Sequence, residues 1–172
     1  MLGQSWEEIA RLLRENQTLV EVALFVLAFA ESIVVVSIFV PSTLIFIAIG
    51  ALEGAAGGVL APLVIAGALG ALAGDVVSFA LGNHFRNDIE RMPILRHRPH
   101  VIERARQLVG QWGIVAILAS KITGPLRPVV PMLAGASSMP WIVFIVTSAA
   151  SSALWSVMVL VPAYYGLNLI AQ

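Results

Sequence analysis

The chain has 172 residues, 59% of them hydrophobic and 12% charged, with ten basic against ten acidic side chains and a formal net charge of zero. A soluble domain carries roughly 25% charged residues, so this composition excludes an ordinary water-soluble fold. The zero net charge says nothing about nucleic acid, and the one Arg-rich stretch, flanked by spans and without an aromatic stacking platform, is not read as a nucleic-acid patch. Cysteine is absent, which excludes disulfides and thiolate metal sites.

From the N-terminus, Ser5 and Glu8 have capping-box spacing, and Trp6, Ile9, Ala10 and Leu13 then share one helical face. An amphipathic lead over residues 1–18, lying in the membrane interface, is expected, with no basic region that would make it a cleavable signal. The first apolar block runs from Leu19 to Leu52, interrupted by Glu31 and by the turn signal Pro41-Ser42-Thr43. Proline removes a backbone donor and disfavours helix at the preceding residue, so the block should break near Val40–Pro41. Residues 19–53 are therefore expected to form a re-entrant helical hairpin. Gly54 to Gly58 reads as a connection, and residues 60–84 as a full span with Asp75 near its end. Small residues at Gly67, Gly70, Ala71 and Gly74 would let a neighbouring helix approach closely.

Six of the nine arginines (Arg86, Arg91, Arg96, Arg98, Arg104 and Arg106) fall in the next segment, which marks residues 86–111 as a cytoplasmic basic loop and amphipathic helix. His84, His97 and His100 read as solvated surface there, with no spacing suited to a metal. A second apolar block, 113–137, carries Lys121 and crowds Gly124-Pro125, Arg127-Pro128 and Pro131 together, so it should break over Thr123–Pro128 as a second hairpin. Residues 140–166 form the second full span. Trp6, Trp112, Trp141 and Trp155 read as interfacial belt anchors. The expected fold is a single all-α membrane domain over 1–172. It holds two re-entrant helical hairpins of opposed topology, each followed by a transmembrane helix, plus amphipathic interfacial helices; secondary transporters often use inverted units of this kind.

Glu31, Asp75, Lys121 and Arg127 are charged residues within this apolar setting. Each costs about 2.5–3.5 kcal/mol at bilayer depth on insertion scales, so such groups face a partner or a wet cavity. Arg127 offers a fork of donors for phosphate or carboxylate, Lys121 a compact charge, and the Gly124-Pro125 turn free backbone N–H groups. Glu31 could pair with Lys121 or Arg127, or exchange a proton. The competing reading is a buried ion pair that fixes the two hairpins. Asp75 is either a second coupling group or a structural contact to Arg86. The segment Lys121 to Arg127-Pro128 is one residue short of the lysine-to-Arg-Pro element of phosphatidate-phosphatase-type enzymes, and the nucleophile elements are missing. No enzyme activity and no cofactor are therefore expected.

These residues together resemble the DedA family, also described as VTT or SNARE-associated membrane proteins. The resemblance rests on Gly113, Lys121, Gly124, Arg127, Pro131, Ala134-Gly135, Met139-Pro140 and Leu154-Trp155, with Glu31, Pro41, Gly50, Gly74-Asp75 and Gly82 upstream. Lys121 stands where the family usually has arginine, Thr43 where it has a turn acid, and the chain stops soon after Tyr165-Gly166. The resemblance implies a multi-pass protein of the bacterial cytoplasmic (inner) membrane that moves undecaprenyl phosphate or a phospholipid. Arg127, Lys121, Gly124 and Thr43 would bind the phosphate head group, and Glu31 and Asp75 would couple protons or ions. The alternatives are a non-transporting scaffold or assembly factor acting through its Arg-rich loop, and a small-ion secondary transporter. A homodimer is expected, because so short a chain encloses little cavity alone.

Overall fold

The computed structural model describes residues 15–33, 42–85, 107, 109–121, 127–137 and 139–170. The expected lead at 1–14, the turn through Pro41, the Arg-rich segment 86–106 and Gly124 lie outside the described residues. Among those described, the elements are all helices: α1 (Gln17–Glu31), α2 (Ser42–Ala56), α3 (Leu60–His84), α4 (Ile114–Ser120), α5 (Val129–Ala136) and α6 (Trp141–Ile170). Two stretches, Leu60–His84 and Trp141–Gly166, are long and apolar enough to cross a membrane, each with mean hydropathy 1.9. At 1.5 Å per residue either exceeds a hydrocarbon core about 30 Å thick. Their outer faces carry Ile65, Leu69, Val77, Ile142, Val146 and Leu154, all exposed, the reverse of a water-facing surface.

The long helices α3 and α6 form the central pair and run antiparallel. Ser156 Oγ donates to the Val64 carbonyl at 2.9 Å, Asp75 meets Ser148, and Phe79 stacks on Phe144 with centroids 4.2 Å apart. Helix α1 lies along α3 in the same direction. Gly70 abuts Phe25 and Ala28, Gly74 abuts Phe29 and Ser32, and Ser78 Oγ donates to the Ser32 carbonyl at 2.8 Å. Helix α2 lies along α6 in the same way, through Phe46 on Trp155, Gly50 against Leu160, and Gly54 against the Tyr164 backbone. Because α3 and α6 oppose each other, α1 and α2 oppose each other too. Helix α5 meets the end of α3 where Gly82 faces Met132 and Gly135 faces Phe79, and α4 packs on α6. One apolar cluster gathers Phe79, Ile117, Val130 and Phe144; a second gathers Leu24, Phe46, Leu63 and Leu160.

Several boundaries differ from the sequence expectation. Helix α1 ends at Glu31 with Ser32 as its cap, and the break expected near Val40–Pro41 lies outside the described residues. Helix α2 continues through Gly54, expected in a connection, to Ala56, because only a residue without Cβ fits against the Tyr164 backbone. The turn comes at Gly57, whose φ of 70° lies in the left-handed region. Helix α4 begins after Gly113, at φ 48°, and ends at Ser120, and α5 begins at Val129 after Pro128; most of the break expected over Thr123–Pro128 lies outside the described residues. Asp75 lies inside α3, nine residues before its end, and not at the terminus.

Candidate functional site

Five elements, α1, α3, α4, α5 and α6, converge on the polar interior. Asp75 projects from mid-α3 and is fully buried; Lys121 caps α4 and is 5% exposed. The Lys121 Nζ lies 2.5 Å from Asp75 Oδ2. The same carboxylate oxygen accepts from Ser148 Oγ at 2.5 Å and, more loosely, from Ser152 Oγ at 3.5 Å, both on α6. Asp75 Oδ1 has no hydrogen-bond partner among the described residues. This is a charge-assisted cluster in which one acid holds the ammonium that would otherwise be stranded out of water.

The second pair joins the end of α1 to the start of α5. Arg127 Nη1 lies 2.9 Å from Glu31 Oε2. The guanidinium carbon sits 3.8 Å from the centroid of the Trp155 ring, which is itself set edge-on to Phe46 at 5.0 Å. A planar cation on an aromatic face is held by the ring quadrupole and by dispersion, which fixes the plane of its donors. The Nε and Nη2 atoms of Arg127 have no hydrogen-bond partner among the described residues. Arginine carries five N–H donors, so the Glu31 contact leaves part of the fork unspent.

Both cations face a cavity of about 300 Å³. Its polar wall is Glu31, Thr43, Lys121, Arg127 and Ser151, and its apolar wall is Leu118, Leu154, Trp155, Met158 and Val159. Leu118, Leu154 and Met158 are 37%, 56% and 54% exposed, so the rim on that side is part of the apolar outer surface. The opening thus faces sideways out of the helix bundle.

Of the residues singled out from sequence, Glu31, Thr43, Lys121 and Arg127 line this one cavity. Asp75 stands behind it, reaching it through Lys121. The alternative partner for Asp75, Arg86, lies outside the described residues, as does Gly124. Trp155 is corrected: it is 7% exposed and lies under Arg127, so it is no belt anchor. The α6 serines were not anticipated. A signal existed, because Ser148, Ser152 and Trp155 follow i, i+4, i+7 spacing and so share a face. Glu53, at the end of α2, was not anticipated either and is fully buried.

The family profile of the VTT domain matches residues 40–165, a stretch that holds Thr43, Asp75, Lys121 and Arg127 but not Glu31. Inner membrane protein YabI of Escherichia coli (strain K12) is 32% identical over 133 residues, covering 77% of this chain and 52% of that protein. An uncharacterized membrane protein of Buchnera aphidicola subsp. Schizaphis graminum is 27% identical over 152 residues, 88% of this chain and 60% of its own. Another, of Buchnera aphidicola subsp. Baizongia pistaciae, is 27% identical over 140 residues, 81% of this chain and 54% of its own. The chain spans between about half and three fifths of the length of these relatives. No solved structure matches.

Proposed function

We propose that this chain, which belongs to the VTT domain (DedA) family of membrane proteins, moves a phosphate-bearing lipid across the bacterial cytoplasmic membrane. The undecaprenyl phosphate or phospholipid class fits best. The observation that carries this reading is the two-faced cavity: a pair of buried cations on one wall and an apolar rim, Leu118, Leu154 and Met158, on the other. An amphiphile needs both. Its head group exchanges water for Arg127 and Lys121 while its chains stay in the hydrocarbon beside the rim. A water-borne ion would have no use for a sideways apolar opening.

In this reading α1 with α2, and α4 with α5, are re-entrant pairs whose breaks meet at membrane depth; irregular backbone is tolerated there when it is buried or lines a cavity. Arg127 is the phosphate anchor, its free donors supplying the bidentate contact. Glu31 competes with the phosphate for the same guanidinium, so protonation of Glu31 would release Arg127 to the head group and give the transport its proton dependence. Lys121, held by Asp75, adds charge without leaving its place.

The test is head-group translocation of fluorescent phospholipid in proteoliposomes, with Arg127→Ala and Glu31→Gln beside the wild type, with and without a pH gradient. Transport lost in Arg127→Ala, and gradient dependence lost in Glu31→Gln, are the expected results. Wild-type protein that moves inorganic phosphate but no lipid would favour the small-ion reading. Inactivity towards both, with folding intact, would favour a scaffold.

A further inference from the structure

Glu53, on the last turn of α2, is fully buried, and neither carboxyl oxygen has a hydrogen-bond partner among the described residues. Among the described residues no cation pairs with it. The described lysine and arginine side chains, Lys121 and Arg127, are engaged by Asp75 and Glu31, and His84 is at the far end of α3. The charge that does bear on Glu53 is of like sign, Glu21 on α1. From α6, Tyr164 turns its hydroxyl to the Gly58 carbonyl, at 2.7 Å, and not to the carboxyl.

The chain folds back over this carboxyl. Gly58 N–H donates to the Glu53 carbonyl at 2.9 Å, closing the turn, and a Cβ on Gly58 would fall on Glu53 Oε2. The side chain therefore occupies the space that a side chain at 58 would take. An ionised carboxylate in such a place, unpaired and out of water, costs several kcal/mol; a carboxylic acid avoids that cost by keeping its proton.

We propose that Glu53 is a proton-binding site, separate from the Arg127 cavity and occupied while the Gly57–Gly58 turn is closed over it. Thr43, which lines the cavity, is ten residues earlier on the same helix, so the two lie about 15 Å apart along its axis. Ionised Glu53 requires the turn to open and admit water, which ties the proton to the connection between α2 and α3. The site is independent of what the cavity carries.

Infrared spectroscopy of the purified full chain, titrated against pH, tests this directly through the C=O stretch of a protonated carboxylic acid. The expected result is a protonated carboxyl band that persists above the ordinary glutamate range and is absent from Glu53→Gln. Glutamine matches the neutral acid in shape, so this variant should fold; its failure to fold would itself count against the site. Gly58→Ala is the second variant. Among the described residues, positive φ occurs at Gly57 and Gly113 only, so alanine at 58 strains no backbone and displaces only the carboxyl tip. Its band should titrate close to the ordinary glutamate value. A wild type with no such band at neutral pH, a band that survives in Glu53→Gln, or a Gly58→Ala titration unchanged from wild type would each overturn the proposal.

Discussion

The Asp75 carboxylate and the Lys121 ammonium are each affordable inside this molecule only because the other is there. Taking two charges out of water costs several kcal/mol apiece, and the 2.5 Å contact with its serine donor recovers much of that. The pair therefore tests how far burial, and not attraction, governs the interior. Asp75→Asn should leave the ammonium stranded and cost about 3–5 kcal/mol, as should Lys121→Met by stranding the acid. The double variant should cost much less than the sum, because it strands nothing. Reversible unfolding in detergent micelles gives the three free energies, and their difference is the coupling. Additive losses would mean that the two side chains are not mutually dependent. At this scale the sequence was half legible. Four charges in an apolar chain stood out by cost alone, but their pairing depends on which helix crosses which, so Glu31 retained two possible partners. Trp155 was misread because tryptophan at a membrane interface and tryptophan beneath a guanidinium look identical in one dimension. Glu53 went unnoticed for a similar reason: an acid that ends an apolar run reads as a solvated helix end.

Helices in this bundle are set by what is missing from their surfaces. Gly70 and Gly74 admit α1, Gly54 admits α6, and the facing pair Gly82 and Gly135 admits α5 onto α3. In a lipid environment helices gain little from hiding apolar surface, so close packing and hydrogen bonds such as that from Ser78 to Ser32 must carry the association. The small-residue stripe on α3 was legible from sequence, as were both long spans. What hid the true end of α1 was the absence of any breaker at Glu31. What hid the length of α2 was Gly54, because a helical packing glycine and a turn glycine are the same letter. The packing role is open to measurement. A Cβ at Gly82 would meet the Met132 backbone, which cannot swing aside, so Gly82→Ala should cost about 1–3 kcal/mol by forcing α5 away from α3. Gly166→Ala is the counterpart within the same protein: nothing lies within 4 Å of that position and it is helical, so stability should rise by up to ~1 kcal/mol. Thermal midpoints in micelles should therefore move in opposite directions. Equal shifts would show that intrinsic helix preference outweighs contact here.

Across the whole molecule the helix directions combine into a definite arrangement of ends. Because α1 runs with α3, the start of α1 sits level with the start of α3, and Thr18 should share a membrane face with Val59. Because α6 opposes α3, the far end of α6 returns to that face, bringing Tyr165 to it as well. The end of α3 at Phe85 and the approach to α4 at Trp112 belong to the opposite face; Val109 and Ile117 join Phe79 and Phe144 in one cluster, which fixes the level of that approach. If the two helix pairs are re-entrant, as proposed, the first would enter and leave beside Thr18 and Val59 and the second beside Phe85. The absence of cysteine makes the arrangement simple to read, since every introduced thiol is the only one in the chain. Single cysteines at Thr18, Val59 and Tyr165 should react with a membrane-impermeant maleimide from one side, and those at Phe85 and Trp112 from the other, in right-side-out and inverted vesicles. The Arg-rich segment that follows Phe85 sets the sign: basic residues are retained in the cytoplasm, so the Phe85 and Trp112 thiols should label in inverted vesicles. Labelling of Thr18 and Val59 from opposite faces would mean that the first helix pair crosses the membrane as one unit. The proposed re-entrant reading of that pair would then fail.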